Sequence, residues 1–221
     1  MIYRHFVFDL DGTLIDSRQD LADAANAMLA AHGAPPLPVA DVVAMVGEGA
    51  RVLVERALQR AGVAVDPDDA LPQFLDAYDA RLAATTMPYP GVLDTLAHLH
   101  AVAHVSVLTN KPQRATDRVL DALGIAPHVH AAIGGDTPHG RKPSPGALTT
   151  LLARSGVPAA ATLLVGDSWV DVATARAGGV DACLVSYGFG YDAVDQPHRE
   201  AARVTIAAFD ELTRLAPTSR R

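Results

Sequence analysis

Tyr3-Arg4-His5-Phe6-Val7-Phe8-Asp9-Leu10-Asp11-Gly12-Thr13 is the stretch on which the fold turns. Its first half is short and rich in aromatic and β-branched residues, which predicts a strand. Its second half switches to acid and glycine and reads as the loop into which that strand runs. Four further strand candidates come only much later, at residues 104–109, 129–133, 162–165 and 182–186. Helical patterns separate them at residues 92–100, 112–123, 145–155 and 169–177, and a closing helix is expected over 207–215. Short apolar strands alternating with helices predict right-handed crossovers and an α/β fold built on a mostly parallel, doubly wound sheet.

One region breaks that rhythm. Between about residue 16 and residue 87 no strand pattern stands out, whereas helical patterns occur at 20–31, 41–45, 50–61 and 72–84. Gly33-Ala34-Pro35-Pro36, Gly47-Glu48-Gly49 and Asp66-Pro67 punctuate them, and Met87-Pro88-Tyr89-Pro90-Gly91 resembles a re-entry linker. The expected organisation is a core of residues 1–15 and 88–221, with residues 16–87 inserted after the first strand as a helical unit.

Composition narrows the function classes. A formal net charge of -7 argues against a nucleic-acid footprint, which needs a basic face. No apolar run approaches the roughly 20 residues needed to cross a bilayer, and a strand so close to the N-terminus leaves no room for a signal peptide. The expectation is a cytoplasmic protein, monomer or homodimer, with no membrane and no nucleic acid as partner. The single cysteine, Cys183, lies in an apolar run and is expected to be buried and inert.

The chemistry gathers at the strand ends, where open α/β sheets bind their ligands. After the first strand, Asp9 and Asp11 can converge on one point, one attacking phosphorus and the other moving a proton; a plain Asx turn fits the same letters. After the second come Thr109 and Asn110, able to donate to phosphate oxygens or merely to cap the next helix. In Arg141-Lys142-Pro143, the following proline suits Lys142 to a loop, where its ammonium could balance charge between phosphate and carboxylate; most surface lysines do nothing of the kind. Gly166-Asp167-Ser168-Trp169-Val170-Asp171 ends another strand in acid and puts a second acid in the first turn of a helix. Asp167 is placed to share a magnesium shell with Asp9, while Asp171 supports a ligand or simply favours the helix N-terminus. A parallel sheet brings such ends to one edge, so that chance would have to assemble a whole phosphoryl-transfer set there.

Asp9-Leu10-Asp11-Gly12-Thr13-Leu14, Thr109-Asn110, Lys142-Pro143 and Gly166-Asp167-Ser168-x-x-Asp171 occur in the order of the motifs of the haloacid dehalogenase superfamily, which the chain resembles over nearly its whole length. The resemblance implies a Rossmann-like core with a helical cap of the subgroup I type. It also implies Asp9 as nucleophile, Asp11 as general acid and then base, and Thr109, Asn110 and Lys142 as the phosphate-binding set. Magnesium would be held by Asp9, the backbone carbonyl of Asp11 and Asp167, with Asp171 behind or beside it. Dehalogenases of this superfamily lack the second acid, so Asp11 argues against halide chemistry and for a phosphatase acting on a small phosphorylated metabolite. Non-catalytic relatives, the reading from another class, should have lost Asp9, Asp11 or Lys142, and all three are present.

Within the superfamily the cap stretch from Met45 to Leu58, Met87-Pro88-Tyr89-Pro90-Gly91-Val92 and Ser186-Tyr187-Gly188-Phe189-Gly190 resemble bacterial phosphoglycolate phosphatases. Sugar and amino-sugar-acid phosphates are the alternative substrates. Glu48 and Arg51 are the candidate cap specificity residues, Arg51 offsetting the Glu48 carboxylate if it faces the cleft; a solvated helix start is the plainer reading of both.

Overall fold

The computed structural model describes residues 1–218. β1 (His5–Phe8) is buried along its whole length, as an apolar run in the middle of a parallel sheet should be. The chain leaves it through a tight loop into β2 (Ile15–Asp16), then runs through four helices: α1 (Arg18–Ala31), α2 (Val39–Val43), α3 (Ala50–Ala61) and α4 (Pro67–Arg81). It returns along β3 (Met87–Pro88), which pairs antiparallel with β2. From there strand and helix alternate: α5 (Val92–Val102), β4 (His104–Leu108), α6 (Gln113–Ala122), β5 (Ala131–Ile133), α7 (Gly146–Ser155), β6 (Thr162–Gly166), α8 (Trp169–Gly178), β7 (Asp181–Val185), α9 (Gln196–Ala201) and β8 (Val204–Ile206). The main sheet has six strands in the order β5-β4-β1-β6-β7-β8, all paired in parallel.

Alternation along the strands sorts side chains between two cores. Phe6, Phe8, Val105, Val107, Leu163 and Val165 pack on one face with Leu96 and Leu99 of α5. Val7, Leu164 and Leu184 pack on the other with Leu148 and Leu151 of α7 and Val172 of α8. The four helices after β2 build a third cluster among themselves, around Met28, Leu29, Val54 and Phe74, to which the α/β layer contributes Ala115 of α6. Both connections between the helical unit and the sheet pass through the β2–β3 pair. Beside it, the buried Asp20 carboxylate of α1 accepts hydrogen bonds from the backbone N–H and hydroxyl groups of Thr85 and Thr86, at 2.6–3.2 Å, and ties the outgoing chain to the incoming one.

Several details depart from the sequence reading. The last helix of the insert begins at Pro67 rather than at residue 72: Asp66 caps it by accepting from Asp68 N at 2.8 Å, Pro67 takes the first turn, and Pro72 lies inside. The linker at residues 87–91 begins as a strand, and β8 replaces part of what read as loop. The closing segment is a 3₁₀ helix, Phe209–Leu215, rather than an α-helix over 207–215. Two- and three-residue strands carry too few side chains to show a period; their existence rests on pairing with distant chain.

Candidate active site

All the predicted strand-end residues lie along one edge of the sheet. Asp9 immediately follows β1, and its carboxylate accepts from Leu10 N at 2.7 Å and from the Lys142 ammonium at 2.8 Å. Asp11 lies two residues on, where Ser17 Oγ donates to it at 2.6 Å and the Lys111 ammonium contacts both of its oxygens at 2.9 Å. Gly12 between them and the insert has φ +85°, and a Cβ there would fall 2.0 Å from an Asp167 oxygen. Both the backbone angle and the close approach of Asp167 therefore require glycine.

At the end of β4, Thr109 accepts from Lys111 N at 3.2 Å through its hydroxyl and borders the cavity. Asn110 does something the sequence did not suggest. Its side chain accepts from Lys142 N at 2.8 Å and donates to the carbonyls of Lys142 and Gly47, at 3.0 and 2.9 Å. The amide thus ties the Lys142 loop to the β4 end and to the helical insert. Neither Thr109 nor Asn110 caps α6; that role goes to Asp136, which accepts from Gln113 N at 2.7 Å.

At the end of β6, Asp167 accepts from Gly190 N at 2.8 Å. Ser168 precedes α8, and Asp171 in its first turn accepts from Ser168 N and Oγ through one oxygen and from the Lys142 ammonium, at 2.6 Å, through the other. The Lys142 ammonium is thereby held between Asp9 and Asp171, and all three are buried. Gly188, in the loop after β7, backs this corner: a Cβ there would meet the Asp167 Cβ at 2.2 Å.

Asp9, Asp167 and Asp171 each bring a carboxylate oxygen within 4.8 Å of the others. Burial raises the proton affinity of Asp9; Lys142 pulls it back and Asp171 adds to it, with the result near pKa 6. Burial and the carboxylates of Asp171 and Asp9 hold Asp167 well above the ordinary range. Burial works against the charged form of Lys142, but Asp171 and Asp9 together outweigh it and keep the ammonium charged. Lys111 follows the same pattern, with Asp11 and then Tyr78 overcoming burial. The result is an enclosed, electron-rich corner with hard oxygen donors and more carboxylates than ammonium groups, which suits a small divalent cation.

Above this edge the helical insert closes a cavity with Leu21, Val46, Gly47, Gly49, Ala50, Leu53, Phe74, Leu75 and Tyr78. The two cap residues singled out by sequence are not in that lining. Glu48 pairs with Arg56, and Arg51 lies on the outer face, 2.7 Å from Asp68 and 3.5 Å from Glu55. Of the two readings of Arg51, the structure gives the solvated helix start, and the condition that it face the cleft is not met. Gly47 and Gly49, at φ 121° and 98°, set the approach to α3, and the helix buries Leu53, Val54, Ala57 and Leu58, which leaves Arg51 on the opposite side. The sequence reading missed Lys111 and Tyr78, whose ring centroid lies 4.5 Å from the Lys111 ammonium. It also gave Gly188 and Gly190 no role beyond their resemblance to other chains. For Lys111 the available signal was its place just past a strand end; for Tyr78 there was none beyond helical periodicity.

Comparison with known proteins places the chain in a family. The chain is 41% identical to a phosphoglycolate phosphatase of Pseudomonas fluorescens, over 97% of this chain and 79% of that protein. It is 42% identical to a phosphoglycolate phosphatase of Rhodospirillum rubrum, over 95% and 88%. The crystal structure of a predicted phosphoglycolate phosphatase from Haemophilus somnus superposes with a TM-score of 0.89 at 28% identity, covering 96% of this chain and 97% of that one. The family model for haloacid dehalogenase-like hydrolases matches residues 3–179, a span that runs from β1 to the end of α8 and includes every acid and ammonium group of the cluster. With its parallel sheet, its helical insert after the first strand and its acids at the sheet edge, the chain belongs to the haloacid dehalogenase-like hydrolases.

Proposed function

We propose that this hydrolase is a magnesium-dependent phosphatase of small phosphorylated metabolites, with 2-phosphoglycolate as substrate, working through a phospho-aspartate on Asp9. The observation that carries the reading is the Lys142 ammonium, buried between Asp9 and Asp171 beside Asp167, so that nucleophile, counter-charge and metal-ligand set share one corner. Residues 1–15 and 88–218 form the catalytic core and residues 16–87 the cap; residues 219–221, expected in the core, lie outside the described residues. The names of the relatives, at about 40% identity over most of the chain, support the substrate.

In the first step Asp9 attacks phosphorus in line while Asp11 gives a proton to the departing oxygen; in the second, Asp11 takes a proton from the water that hydrolyses the aspartyl phosphate. Lys142 holds Asp9 in place and offsets charge on the phosphoryl oxygens, with Thr109 and the backbone around Asn110 completing their binding. Asp171 orients Lys142. Asp9, the Asp11 carbonyl and Asp167 would hold magnesium, with Asp171 beside them, and the ion supplies Lewis-acid neutralisation of the transferring group. The apolar cap excludes water from the reacting atoms.

The test is a screen of the purified protein against phosphoglycolate, sugar phosphates and amino-sugar-acid phosphates with added magnesium, alongside Asp9→Asn. Phosphoglycolate should give the highest kcat/KM, and the variant should lose on the order of 10³-fold or more in turnover, the scale at which a covalent nucleophile is removed. Substantial turnover by a folded Asp9→Asn protein would refute the phospho-aspartate. A clear preference for another ester would refute the substrate.

A further inference from the structure

Lys111 is a buried cation that the two-step chemistry above leaves unused. It follows Thr109 and Asn110 past the end of β4, and among the described residues it is the one cation in the cavity lining. An ammonium has three donors and no acceptor. The two oxygens of Asp11, each at 2.9 Å, take two of them. The Tyr78 ring of α4 stands 4.5 Å away, confining the head group between cap and core. Asp11 keeps a second donor in Ser17 Oγ at 2.6 Å, so its carboxylate stays hydrogen-bonded when Lys111 shares itself with another group.

The charges in the cavity decide what that group can be. Asp9, Asp11 and Asp167 face it, and Lys142 is committed to Asp9 and Asp171 on the phosphoryl side. The cap contributes apolar wall through Leu21, Val46, Leu53, Phe74 and Leu75, while its nearby charges are tied up outside the lining, Glu48 with Arg56 and Arg51 with Asp68. A second anion on a substrate, taken out of water between apolar walls and carboxylates, is costly unless a counter-charge meets it. Lys111 is the cation in position to do so.

We propose that Lys111 is the receptor for a carboxylate on the leaving-group side of the phosphoester, and that it sets a preference for phosphorylated carboxylic acids over esters lacking that carboxylate. This rests on the phosphatase reading and gives the preference for phosphoglycolate a residue. Lys111 binds the tail, Lys142 the head.

The experiment compares kcat/KM for two matched pairs, phosphoglycolate with ethyl phosphate and 3-phosphoglycerate with glycerol 3-phosphate, in wild type, Lys111→Met, Lys111→Arg and Arg141→Met. Arg141 is exposed, lies near Gly49 and is absent from the cavity lining, so its variant removes the same unit charge from outside the cavity. Lys111→Met should slow both members of a pair but shrink the preference for the carboxylated one about 10- to 100-fold, the range for losing a charged hydrogen-bond partner. Lys111→Arg should restore part of the ratio, and Arg141→Met should leave it as in wild type. Calorimetric binding of the same esters to Asp9→Asn with and without Lys111→Met reads the same ratio if turnover becomes too slow to follow. Equal losses for both members would mean that Lys111 only orients Asp11, and would overturn the proposal, as would a wild type indifferent to the carboxylate in both pairs. Preference for 3-phosphoglycerate without activity on phosphoglycolate would refute the substrate named above while sustaining Lys111. Failure to hydrolyse any ester would fail the phosphatase reading itself, and Lys111 with it.

Discussion

Two of the strands that run into the site, β1 and β4, begin in histidines. β1 runs from His5 towards Asp9, and β4 from His104 towards Thr109, with His130 just before β5. At the amino edge the His5 and His104 rings meet edge-on with centroids 4.9 Å apart, His104 stacks on His130 at 4.2 Å, and His130 stacks on His100 at 4.3 Å. His5 lies 3.0 Å from Ser106 Oγ, and His130 Nδ1 accepts from Val105 N at 3.1 Å. Burial, followed by the His104 and His130 rings, lowers the His5 pKa to about 3. Both edges therefore remove ionisable groups from water. At the carboxyl edge the ammonium charges of Lys142 and Lys111 are kept, because they stand among the acids, and a cavity opens on them. At the amino edge His5 stays neutral. Burial alone does not make a site; partners that preserve charge next to open space do.

The largest effect should come from removing an ion partner at the carboxyl edge. Lys142→Met leaves Asp9 and Asp171 buried without their ammonium, which should cost about 3–5 kcal/mol at neutral pH. Urea unfolding reads this directly, and a loss below about 1 kcal/mol would show that the acids take up protons in its absence.

The second test separates the edges by their ligand. The pKa values of Asp9 and Asp167 are raised in the fold, so stability tied to their protonated forms is present below the unfolded value near 4 and lost as pH rises through the folded values. At pH 7 the acids are a liability that a bound cation offsets. Magnesium at 100 times its Kd should add about 2.7 kcal/mol, raising Tm by roughly 5–10 °C for a chain of this size. Asp167→Asn should abolish that rise and His5→Leu should preserve it; no rise in wild type across a magnesium titration would contradict the metal assignment.

The third test belongs to the amino edge. His5 is neutral in the fold down to about pH 3 but protonates near 6.5 when unfolded. The unfolded chain therefore binds the extra proton between those values, and stability falls as pH drops through that window by up to about 1.4 kcal/mol per unit. The slope between pH 6 and 4 should be shallower by about that amount in His5→Leu than in wild type. Identical slopes would remove His5 from the acid response.

Legibility along the chain follows how local each cause is. Asp9 and Asp167 could be found because each closes an apolar run, and the parallel arrangement then fixes which edge they occupy. Asp171 was readable as an acid in a first helical turn; its hold on Lys142 was not, since the two are 29 residues apart. Whether Glu48 and Arg51 face cleft or solvent stayed open in the sequence because the helix phase after Gly47 and Gly49 depends on backbone angles that glycine leaves free. Asn110 looked like a cap or a phosphate donor, and its clamp on Lys142 and Gly47 requires three separate segments to meet.

Strand and helix alternation, the late recurrence of strands and the acids at strand ends follow from patterns a few residues long, so the α/β class, the helical insert and the aspartates are properties of the sequence by itself. The pairing of Lys111 with Asp11, the seat of Tyr78 over it, the outward turn of Arg51 and the neutrality of His5 were decided only by the tertiary structure. Each depends on the distance between groups far apart in the chain and on the water removed when they meet, and charge and burial act through those distances rather than through order along the backbone.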